Sequence, residues 1–278
     1  MKASVIIPTF NRSEPLARCL APLLHEIREH DLPAEVIVVD DGSAEPAGRR
    51  VGEVVASFGT DRIQLIRHGV NRGLSTARNT GAGQADGDIL IFIDDDLIPS
   101  ARFIRDHQTV HQAHPEVQLL CDHLFTRSHS VYARFWTRCY EHVFCQPGHG
   151  RDLHPVAMLS GGNLSIKRSV LATIQPLFDP ALCSREDFDL ALRAADAGLT
   201  VYKTAGAAAE NVPRTTFREF YKQRRWYGQG EEHLRAKHGL EKIVAAEQGL
   251  RVPFTLEMRV LSFLVRLRAR LDARGPAS

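Results

Sequence analysis

Short hydrophobic runs recur through the first hundred residues, separated by stretches whose apolar positions have a helical spacing. Four of the runs are rich in β-branched residues, at positions 5–7, 36–39, 63–66 and 89–93. Continuous apolar runs of this length are typical of strands in a parallel sheet that is covered on both faces. Their alternation with helical segments predicts a doubly wound α/β half.

The segment between the first two runs carries an apolar stripe on one helix face, formed by Leu16, Leu20, Leu23, Leu24 and Ile27. Ser13 suits the N-cap of this helix and Pro15 its first turn. Pro22 lies within the stripe, and a proline inside a helix costs about 3 kcal/mol. We therefore expect a kink or a break near Pro22.

The segment 74–85 is also helical in pattern but is built from small residues. Gly81 and Gly83 lie inside it, which predicts that the backbone approaches another group closely there. A helix that opens at Glu186 should end at Gly198. The remaining helical segments are at 216–239 and 254–274.

Polar residues follow three of the four predicted strands. Pro8-Thr9-Phe10-Asn11 follows the first, Asp40-Asp41-Gly42-Ser43 the second and Asp94-Asp95-Asp96 the fourth. Ligands of such sheets bind beyond the carboxyl ends of the strands. We therefore expect these three segments to surround one site.

The acidic triplet 94–96 carries the most specific chemistry. Three adjacent carboxylates at the end of a buried strand repel one another unless a cation neutralises them. Oxygen ligands suit Mn²⁺ or Mg²⁺, which also binds phosphate oxygens. A helix N-terminal cap is the plainer interpretation, but capping needs one carboxylate and not three. The triplet therefore predicts a divalent-cation site.

Composition excludes several classes of protein. The 278 residues carry a net charge of +2 and are 44% hydrophobic, which is ordinary for a globular protein and indicates no nucleic-acid partner. Five cysteines without a tight pairing pattern predict free thiols in a reducing compartment. The amino-terminal apolar run is too short for a secretory signal, and no stretch reaches the roughly 18 apolar residues of a membrane span. We expect a cytoplasmic location.

Seven motifs in order resemble those of family 2 glycosyltransferases with the GT-A fold. They are residues 5–12 (VIIPTFNR), 38–43 (VVDDGS), 71–73 with 77–79 (NRG, ARN), 93–96 (IDDD), 161–163 (GGN), 186–187 (ED) and 225–226 (RW). The resemblance covers residues 3 to about 230. It implies a single Rossmann-like, mostly parallel sheet flanked by helices, with a C-terminal helical extension.

The same resemblance implies the reaction. An inverting, metal-dependent enzyme of this family moves a sugar from a nucleotide-sugar, most commonly a UDP-sugar, to a hydroxyl acceptor. Glycan, glycolipid and natural-product glycoside synthesis are the expected settings. A sugar-nucleotidyltransferase shares the sheet topology and the use of metal, but it normally carries a glycine- and arginine-rich loop after the first strand, unlike residues 8–12. A catalytically idle nucleotide- or sugar-binding protein with this fold is the other alternative.

Roles for the matching positions follow from the resemblance. Binding of the nucleotide-sugar is expected at Pro8, Thr9, Phe10, Asn11, Asp40, Asp41, Arg78, Asp94, Asp95, Gly161, Gly162, Asn163, Arg225 and Trp226. Phe10 would lie near the base, Arg78 near the nucleotide or its phosphates, and residues 161–163 along the sugar. Asp94 and Asp96 would hold Mn²⁺ or Mg²⁺, with Asp96 the more direct ligand.

The resemblance makes Asp187 the catalytic base, with Glu186 beside it as a second candidate. Both residues open a helix, where the partial positive charge favours ionised carboxylates. Inverting transfer needs one base for the acceptor proton, and the cation stabilises the departing diphosphate. The alternative is that Glu186 and Asp187 only cap the helix.

The chain departs from the family pattern at two places. Lys222 stands where relatives that build polysaccharides often have Gln, so a processive reaction is not indicated. Arg224 or Arg225 would reach the diphosphate, or else this segment is a solvated basic face. Many relatives also have a His shortly before this helix, and this chain has none there. Either Glu210 replaces it as an oxygen ligand, or the triplet and phosphate hold the cation alone.

Two histidine and cysteine clusters resemble metal sites but are discounted. His107 and His111 share a helix face, but a metalloprotease motif requires Glu where Gln108 stands, so a partly exposed surface helix is expected. Another cluster, Cys139, His142 and Cys145, has no fourth ligand nearby. The aromatic residues from Phe125 to Phe144 read mainly as core, with Trp136 as the exception that would stack on a sugar.

We expect one glycosyltransferase domain over residues 1–245, with a nucleotide-binding half at 1–100 and an acceptor-binding half at 101–245. Residues 246–278 form a basic, amphipathic C-terminal helix or tail. Such a helix packs on the domain or on a second subunit in a homodimer, or it lies peripherally on the inner face of a membrane.

Overall fold

The computed structural model describes residues 1–144, 152–212 and 216–246, together with residues 262, 264, 265, 268 and 269. Its strands are β1 (Ala3–Thr9), β2 (Ala34–Asp40), β3 (Ile63–Arg67), β4 (Ile89–Ile93), β5 (Leu97–Pro99), β6 (Leu119–Cys121), β7 (Leu124–Phe125), β8 (His154–Val156), β9 (Asn163–Lys167), β10 (Val201–Lys203) and β11 (Ala209–Asn211). Its helices are α1 (Ser13–Glu29), α2 (Ala47–Ser57), α3 (Leu74–Gln84), α4 (Phe103–Ala113), α5 (Val131–Phe144), α6 (Val170–Thr173), α7 (Glu186–Asp196), α8 (Phe217–His238) and α9 (Leu240–Ala246).

The central sheet has eight strands in the order β3-β2-β1-β4-β9-β6-β10-β8. The four predicted strands form its amino-terminal half and pair in parallel. In the second half, β9 runs antiparallel to both β4 and β6, and β8 runs antiparallel to β10. A smaller sheet, β5-β11-β7, lies beside it. The α/β fold predicted from the sequence is confirmed, while the second sheet was not foreseen.

The two faces of the sheet bury separate hydrophobic clusters. On β1, Val5 and Ile7 belong to the cluster beneath α1, α2 and α4, whereas Ile6 belongs to the cluster beneath α3 and α7. Successive side chains of a strand point to opposite faces, so a strand covered on both sides must be apolar at every position. This requirement explains the continuous hydrophobic runs of the sequence.

Helix α1 continues through Pro22 without interruption, so the predicted break is wrong. Its apolar stripe, including Leu20 and Leu23, is buried against the sheet. Burying each such side chain contributes about 1.5–3 kcal/mol, and the stripe together outweighs the roughly 3 kcal/mol cost of an interior proline. The N-cap prediction is also wrong by one residue, because Arg12 occupies that position.

Helix α3 lies close to the sheet because Gly81 lacks a side chain. A Cβ at Gly81 would lie 2.4 Å from Cγ2 of Ile6, which no packed structure tolerates. Gly83 has open space beside it, so the close approach predicted there is wrong. The contact at Gly81 brings the amino-terminal part of α3, which carries Arg78, to the carboxyl ends of the strands.

Helix α4 is partly exposed, as predicted, at positions such as Thr109 and Gln112. Its two histidines are not, because His107 and His111 are 0% and 1% exposed. Serine and asparagine side chains of the sheet meet these histidines, and a buried polar group requires such partners. The sequence does not show which strand those partners come from.

The aromatic segment on α5 is packed as predicted where the structure describes its side chains. Phe135 and Tyr140 are buried. Trp136 is partly buried and stacks on Tyr140 with ring centroids 5.0 Å apart. The side chain of His142, the residue Cys145 and most of the predicted C-terminal helix lie outside the described residues. Within the described part of the chain, no helix has the length and apolar character needed to cross a membrane.

Candidate active site

The polar ends of β1, β2 and β4 meet at one edge of the sheet. The Thr9 hydroxyl donates to Oδ2 of Asp95 at 2.7 Å, which joins the ends of β1 and β4. Asn11 joins the end of β1 to the loop after β2, because its N–H donates to Ser43 Oγ at 2.7 Å and its Oδ1 accepts from Ala44 N at 3.0 Å. Asn11 has a φ of 58°, a conformation that asparagine tolerates better than most residues.

Arg78 lies among three acids, Asp94, Glu186 and Asp187, which we call the acidic centre. It is 1% exposed, and its guanidinium donates to Asp94 Oδ1 at 2.7 Å, to the Gly161 carbonyl at 3.0 Å and to Glu186 Oε1. Asp94 itself is 37% exposed. The sequence placed Arg78 near the nucleotide, but its charge is directed at carboxylates and it lies beneath the open surface.

The pKa values of the buried acids reflect this enclosure. Burial raises the pKa of Asp94, and the neighbouring Asp96 raises it further, although Arg78 opposes both effects. Burial likewise raises the pKa of Glu186 to about 7, again against the attraction of Arg78. A cleft that holds several carboxylates around one guanidinium therefore has an excess of negative charge, which favours binding of a cation.

A second arginine pairs with the rest of the triplet. Arg12 Nη1 lies 2.7 Å from Asp96 Oδ2 and 3.1 Å from Asp95 Oδ1. Asp95 is 5% exposed, and burial raises its pKa to about 7. The premise that only a cation would neutralise the triplet is therefore wrong, because Arg12 and Arg78 supply two positive charges. Asp95 fastens β1 to β4, which leaves Asp94 and Asp96 as the more open acids.

The Gly161–Gly162 turn fits between these acids because neither residue has a side chain. A Cβ at Gly161 would lie 3.0 Å from Arg78 Nη1 and 3.2 Å from Asp187 Cβ. At Gly162 it would lie 2.9 Å from Asp94 Oδ2. A side chain at either position would therefore push against Arg78, Asp187 or Asp94 and displace these groups. The two glycines allow the backbone to pass between Asp94 and Asp187.

Asp187 is partly buried at the start of α7. Its Oδ2 accepts from Gly161 N at 3.0 Å and its Oδ1 from Phe188 N at 2.8 Å. Two backbone donors orient the carboxylate and stabilise its charged form. Each carboxylate oxygen has a second acceptor direction, so Asp187 retains the capacity to take a proton. Its neighbour Glu186 is buried and held by Arg78, which does not suit a proton acceptor.

The acids at the end of β2 have a different environment. Asp40 is 0% exposed; its Oδ1 accepts from Ser43 N at 3.0 Å, and its Oδ2 makes an ion-pair contact with Arg67 Nε at 2.9 Å. Asp41 accepts from the backbone N–H groups of Arg72 and Gly73 at 2.9 and 2.8 Å and contacts His68 Nδ1 at 2.7 Å. Both side chains therefore hold neighbouring loops in place.

Phe10 and Asn163, both predicted to bind donor, are placed in opposite environments. Phe10 is 41% exposed at the end of β1, in a position open to a base. Asn163 is 0% exposed, and its amide donates to the carbonyls of Ala207 and His123. The polar atoms of the Asn163 side chain are therefore used inside the protein, and the expected contact of residue 163 with the sugar stays a prediction.

Helix α8 borders the acidic centre on the side of α7. Ser184 Oγ donates to the carbonyl of Trp226 at 2.8 Å, and Trp226 is 36% exposed. Arg224 lies over the ring of Tyr227, with Cζ 5.6 Å from the centroid, and Arg225 is exposed. Of the two arginines expected to reach a diphosphate, Arg225 is therefore the more open.

Two residues of this site were given no role from the sequence. Arg12 is the last residue of the first motif, 5–12, and its position beside Asn11 was the available signal. Tyr227 follows the Arg-Trp pair; burial raises its pKa to about 12, and the charges of Asp187 and Asp94 contribute. Its phenol thus remains protonated near the acidic centre.

The described residues contain no group of three or more His, Cys, Asp or Glu side chains placed to hold a metal ion. Mg²⁺ usually binds one or two carboxylates and completes its coordination with water and substrate phosphates. Asp94, whose Oδ2 faces Gly162, and Asp96 meet that smaller requirement. Glu210, the alternative oxygen ligand considered from the sequence, forms an ion pair with Arg127 at 2.9 Å. In the register of β11 with β5, Asn211 lies opposite Leu97, so Asn211 is the residue of β11 nearest to the acidic triplet.

The model of glycosyl transferase family 2 matches residues 4–175, more than half of the chain. The chain belongs to glycosyl transferase family 2. The family assignment made from the seven motifs is thus confirmed, and with it the enzyme class at the level of the family. The match includes the ends of β1, β2 and β4 and the Gly161–Gly162 turn, but not Asp187.

Two relatives illustrate the similarity of this chain to other glycosyltransferases. The chain is 35% identical over 132 residues to the uncharacterized glycosyltransferase YfnE of Bacillus subtilis, which is 48% of this chain and 32% of that protein. It is 33% identical over 96 residues to the undecaprenyl-phosphate 4-deoxy-4-formamido-L-arabinose transferase of Proteus mirabilis, which is 34% of this chain and 29% of that protein. The chain thus spans about a third of the length of these relatives.

Solved structures establish the fold. TarS residues 1–349 of S. aureus superpose with a TM-score of 0.58 at 20% identity, covering 95% of this chain and 72% of that one. GalNAc-T7, crystallised with UDP, GalNAc and Mn²⁺, gives a TM-score of 0.61 at 14% identity, covering 77% and 44%. TarS has also been crystallised with UDP-GlcNAc. The neighbours are GT-A glycosyltransferases, and the GT-A fold predicted from the sequence is confirmed.

Proposed function

We propose that this family 2 protein transfers a sugar from a nucleotide-sugar to a hydroxyl acceptor with inversion at the anomeric carbon. One observation carries the proposal: the open carboxylates of Asp94 and Asp187 lie on either side of the Gly161–Gly162 turn, around the buried Arg78. One acid is thereby available to the diphosphate end of a donor and the other to an acceptor.

The donor would enter along the ends of β1 and β4. Phe10 offers an exposed ring for a base, and we propose UDP as the nucleotide, supported by the UDP complexes of the structural neighbours. Asp94 and Asp96 would hold Mn²⁺ or Mg²⁺ there, and the cation would supply positive charge for the diphosphate. Arg225, exposed on α8, would add a positive charge from the protein beside the same phosphates.

The transfer step assigns a proton acceptor to this chain. The acceptor oxygen attacks the anomeric carbon as the bond from that carbon to the diphosphate oxygen breaks, and the hydroxyl proton passes to Asp187. The hydrogen bonds from Gly161 N and Phe188 N hold this carboxylate in place, which reduces the reorganisation needed during reaction. Arg78 keeps Glu186 and Asp94 apart from the acceptor by pairing with both.

We propose that residues 1–245 form one domain, whose two halves bind the donor nucleotide and the acceptor. Residues 1–100 supply the nucleotide side of the site, and residues 101–245 supply the glycine turn, Asp187 and α8 on the acceptor side. The acceptor is a hydroxyl compound. Because the names of two relatives include undecaprenyl phosphate and dolichol phosphate, lipid phosphates, which would take the sugar on a phosphate oxygen, form a second class of acceptor to assay. Transfer to such an acceptor is a second assay rather than part of the central claim.

A thermal-shift panel tests the donor assignment. UDP, GDP, TDP and CMP are each added with and without Mn²⁺, and the melting temperature is recorded. Binding to the native state stabilises it by RT ln(1 + [L]/Kd), so one nucleotide should raise the melting temperature and Mn²⁺ should increase that rise. If none of the four nucleotides gives a Mn²⁺-dependent rise in melting temperature, the proposal is overturned.

Product analysis with the selected UDP-, GDP- or TDP-sugar separates the alternatives. A glycosyltransferase releases the nucleoside diphosphate from the sugar, whereas a sugar-nucleotidyltransferase run in reverse with pyrophosphate produces a nucleoside triphosphate. A catalytically idle binding protein would bind the nucleotide-sugar and release neither product. Release of diphosphate that depends on the acceptor supports transfer.

A further inference from the structure

A chain of buried polar side chains joins α4 to the floor of the site. Its members are His111, Ser165, His107 and Asn163, each between 0% and 1% exposed. His111 Nε2 lies 2.8 Å from Ser165 Oγ, which lies 2.9 Å from His107 Nδ1. His107 Nε2 then lies 3.0 Å from Asn163 Oδ1. At its other end, His111 Nδ1 lies 3.3 Å from the Val117 carbonyl.

The orientation of the Asn163 amide is fixed by two carbonyl groups. Its Nδ2 donates to the Ala207 carbonyl at 2.7 Å and to the His123 carbonyl at 3.3 Å. A flipped amide would face those two carbonyls with its own oxygen, which cannot donate. The atom facing His107 is therefore an acceptor, and only a hydrogen on His107 Nε2 makes this contact a hydrogen bond.

Counting protons assigns the rest of the chain. The four contacts from Val117 to Asn163 each need one proton, whereas two neutral imidazoles and one hydroxyl supply three. Burial lowers the pKa of His107 to about 3 and that of His111 to about 4, so neither ring carries an extra proton at neutral pH. One of the four contacts therefore has no hydrogen. We assign this contact to His111 and Val117, because it is the longest and its loss costs least.

This arrangement gives one pattern of donors. His111 Nε2–H donates to Ser165 Oγ, the Ser165 hydroxyl donates to His107 Nδ1, and His107 Nε2–H donates to Asn163. The reverse pattern, with both rings protonated at Nδ1, would place two acceptors 3.0 Å apart between His107 and Asn163 in a buried site, where an unmade hydrogen bond is most costly.

Asn163 connects this chain to the catalytic turn. Its N–H donates to the Ser160 carbonyl at 3.2 Å, which closes the turn that contains Gly161 and Gly162. The Gly161 N–H is the donor that holds Asp187, and the Gly161 carbonyl accepts from Arg78. A rotation of the Asn163 side chain would release the turn from α4 and displace these two contacts.

We propose that His107 is a positioning residue, whose Nε2–H tautomer fixes Asn163 and thereby the glycine turn that orients Asp187. The role of Asp187 as base rests on the proposed function, but the tautomer and the position of the turn do not. His107 touches neither donor nor acceptor. Its effect reaches Asp187 through three hydrogen bonds, from His107 to Asn163, from Asn163 N–H to the Ser160 carbonyl and from Gly161 N–H to Asp187.

Two variants provide a matched comparison. His107→Gln retains an N–H donor at about the position of Nε2, whereas His107→Leu removes the donor and keeps an apolar side chain. With ¹⁵N-histidine labelling, the wild-type signals that vanish in His107→Gln identify His107. We expect its Nε2 to carry the hydrogen and its Nδ1 to be bare. A hydrogen on His107 Nδ1 would overturn the assignment. This measurement depends neither on the folding of His107→Leu nor on transfer activity.

Hydrogen exchange and kinetics test the positioning. At matched fractions of folded protein, we expect the Gly161 amide to exchange faster in His107→Leu than in His107→Gln. We expect kcat to fall on the order of tenfold or more in the leucine variant, since a displacement of about 1 Å costs up to about 10²-fold, with KM for the donor unchanged. Equal exchange at Gly161 in the two variants would contradict the proposal. If His107→Leu does not fold, exchange in His107→Gln must match the wild type, and faster exchange there would contradict it. Absence of transfer by the wild type would overturn the proposed function alone.

Discussion

The ends of β2 and β4 carry adjacent aspartates at the same edge of the sheet, but the two groups differ in burial and in the residues that they contact. At β2, Asp40 and Asp41 are almost fully buried, and their oxygens hold Arg67, His68 and the loop that leads into α3. At β4, Asp94 is 37% exposed and faces the glycine turn. Acidic residues after a strand are thus not equivalent, even when the strands are neighbours.

The difference arises from what packs over each strand end. Residues 70–71 lie directly on Gly42, where a Cβ would be 2.3 Å from the Val70 carbonyl carbon. This loop covers the end of β2 and binds Asp41 through the backbone N–H groups of Arg72 and Gly73. Over β4, Gly162 packs against Asp94 Oδ2 without a side chain, and the Asp94 side chain stays 37% exposed. A ligand can therefore approach the β4 acids, whereas the β2 acids stabilise the loops around it.

The largest effect is expected at Asp187, which completes the open group. Asp187→Asn keeps the size of the side chain and an oxygen acceptor for one backbone donor, but it removes the basic carboxylate. We predict that transfer falls by roughly 10²–10⁴-fold, while the affinity for nucleotide stays near that of the wild type. Turnover measured with saturating donor checks the first part and calorimetry the second. Unchanged turnover would remove Asp187 from the mechanism.

The second test compares Arg78, which pairs with Asp94 at the end of β4, with Arg67, which pairs with Asp40 at the end of β2. Arg78→Met leaves Asp94 and Glu186 without their common partner in a buried setting, and breaking such a pair costs about 3–5 kcal/mol. Arg67→Met also removes the cation beside Asp40, but Arg67 is 41% exposed and water replaces part of its interaction. We predict a larger loss in the free energy of unfolding for Arg78→Met, measured in urea. Equal losses would show that the two strand ends are equally enclosed.

A smaller effect is expected from the pH dependence of stability at Glu186. Burial raises its pKa from 4.5 to about 7 in the folded protein, so the native state holds this proton more tightly than the unfolded state. The corresponding stability is present below the unfolded pKa and is lost as pH rises through the folded value. Glu186→Gln removes this titration, so its melting temperature relative to the wild type should rise between pH 5 and pH 8.

A control for this pH test is Glu53→Gln, because Glu53 lies on the exposed face of α2. We expect its difference from the wild type to stay constant over the same pH range. A difference between Glu186→Gln and the wild type that does not change with pH would mean that Glu186 titrates as it does in water. The enclosure of Arg78 and its acids would then be looser than the structure indicates.

The amino-terminal half of the fold was predictable because its rule is local. A strand covered on both faces must be apolar at nearly every position, so β1, β2 and β4 are visible as hydrophobic runs. The edge strand β3 is only partly buried and is visible through its three apolar residues. The second half depends on long-range pairing: β9 inserts between β4 and β6 although 69 residues separate it from β4. No local pattern specifies that insertion. For the same reason, the partners of His107 were hidden.

The candidate site was predictable as a set of positions but not as a set of contacts. The motifs located Asp94, Gly161 and Asp187 at one edge of the sheet. They did not reveal that Arg78 lies beneath the acids, that Arg12 pairs with Asp96, or that Asn163 faces the interior. These facts depend on side-chain directions set by the packing of α3 and α4. The cytoplasmic location and the membrane or dimer role of residues 246–278 stay predictions.

Mn²⁺-dependent binding of the nucleotide selected by the thermal-shift panel tests the contrast between the strand ends most directly. Calorimetric titrations with and without Mn²⁺ are compared for the wild type, Asp94→Asn and Asp41→Asn. We predict that Asp94→Asn loses the increase in affinity that Mn²⁺ provides, whereas Asp41→Asn retains it in the folded fraction and unfolds at lower urea concentration. A full Mn²⁺ effect in Asp94→Asn, or its loss in Asp41→Asn at unchanged stability, would contradict the account.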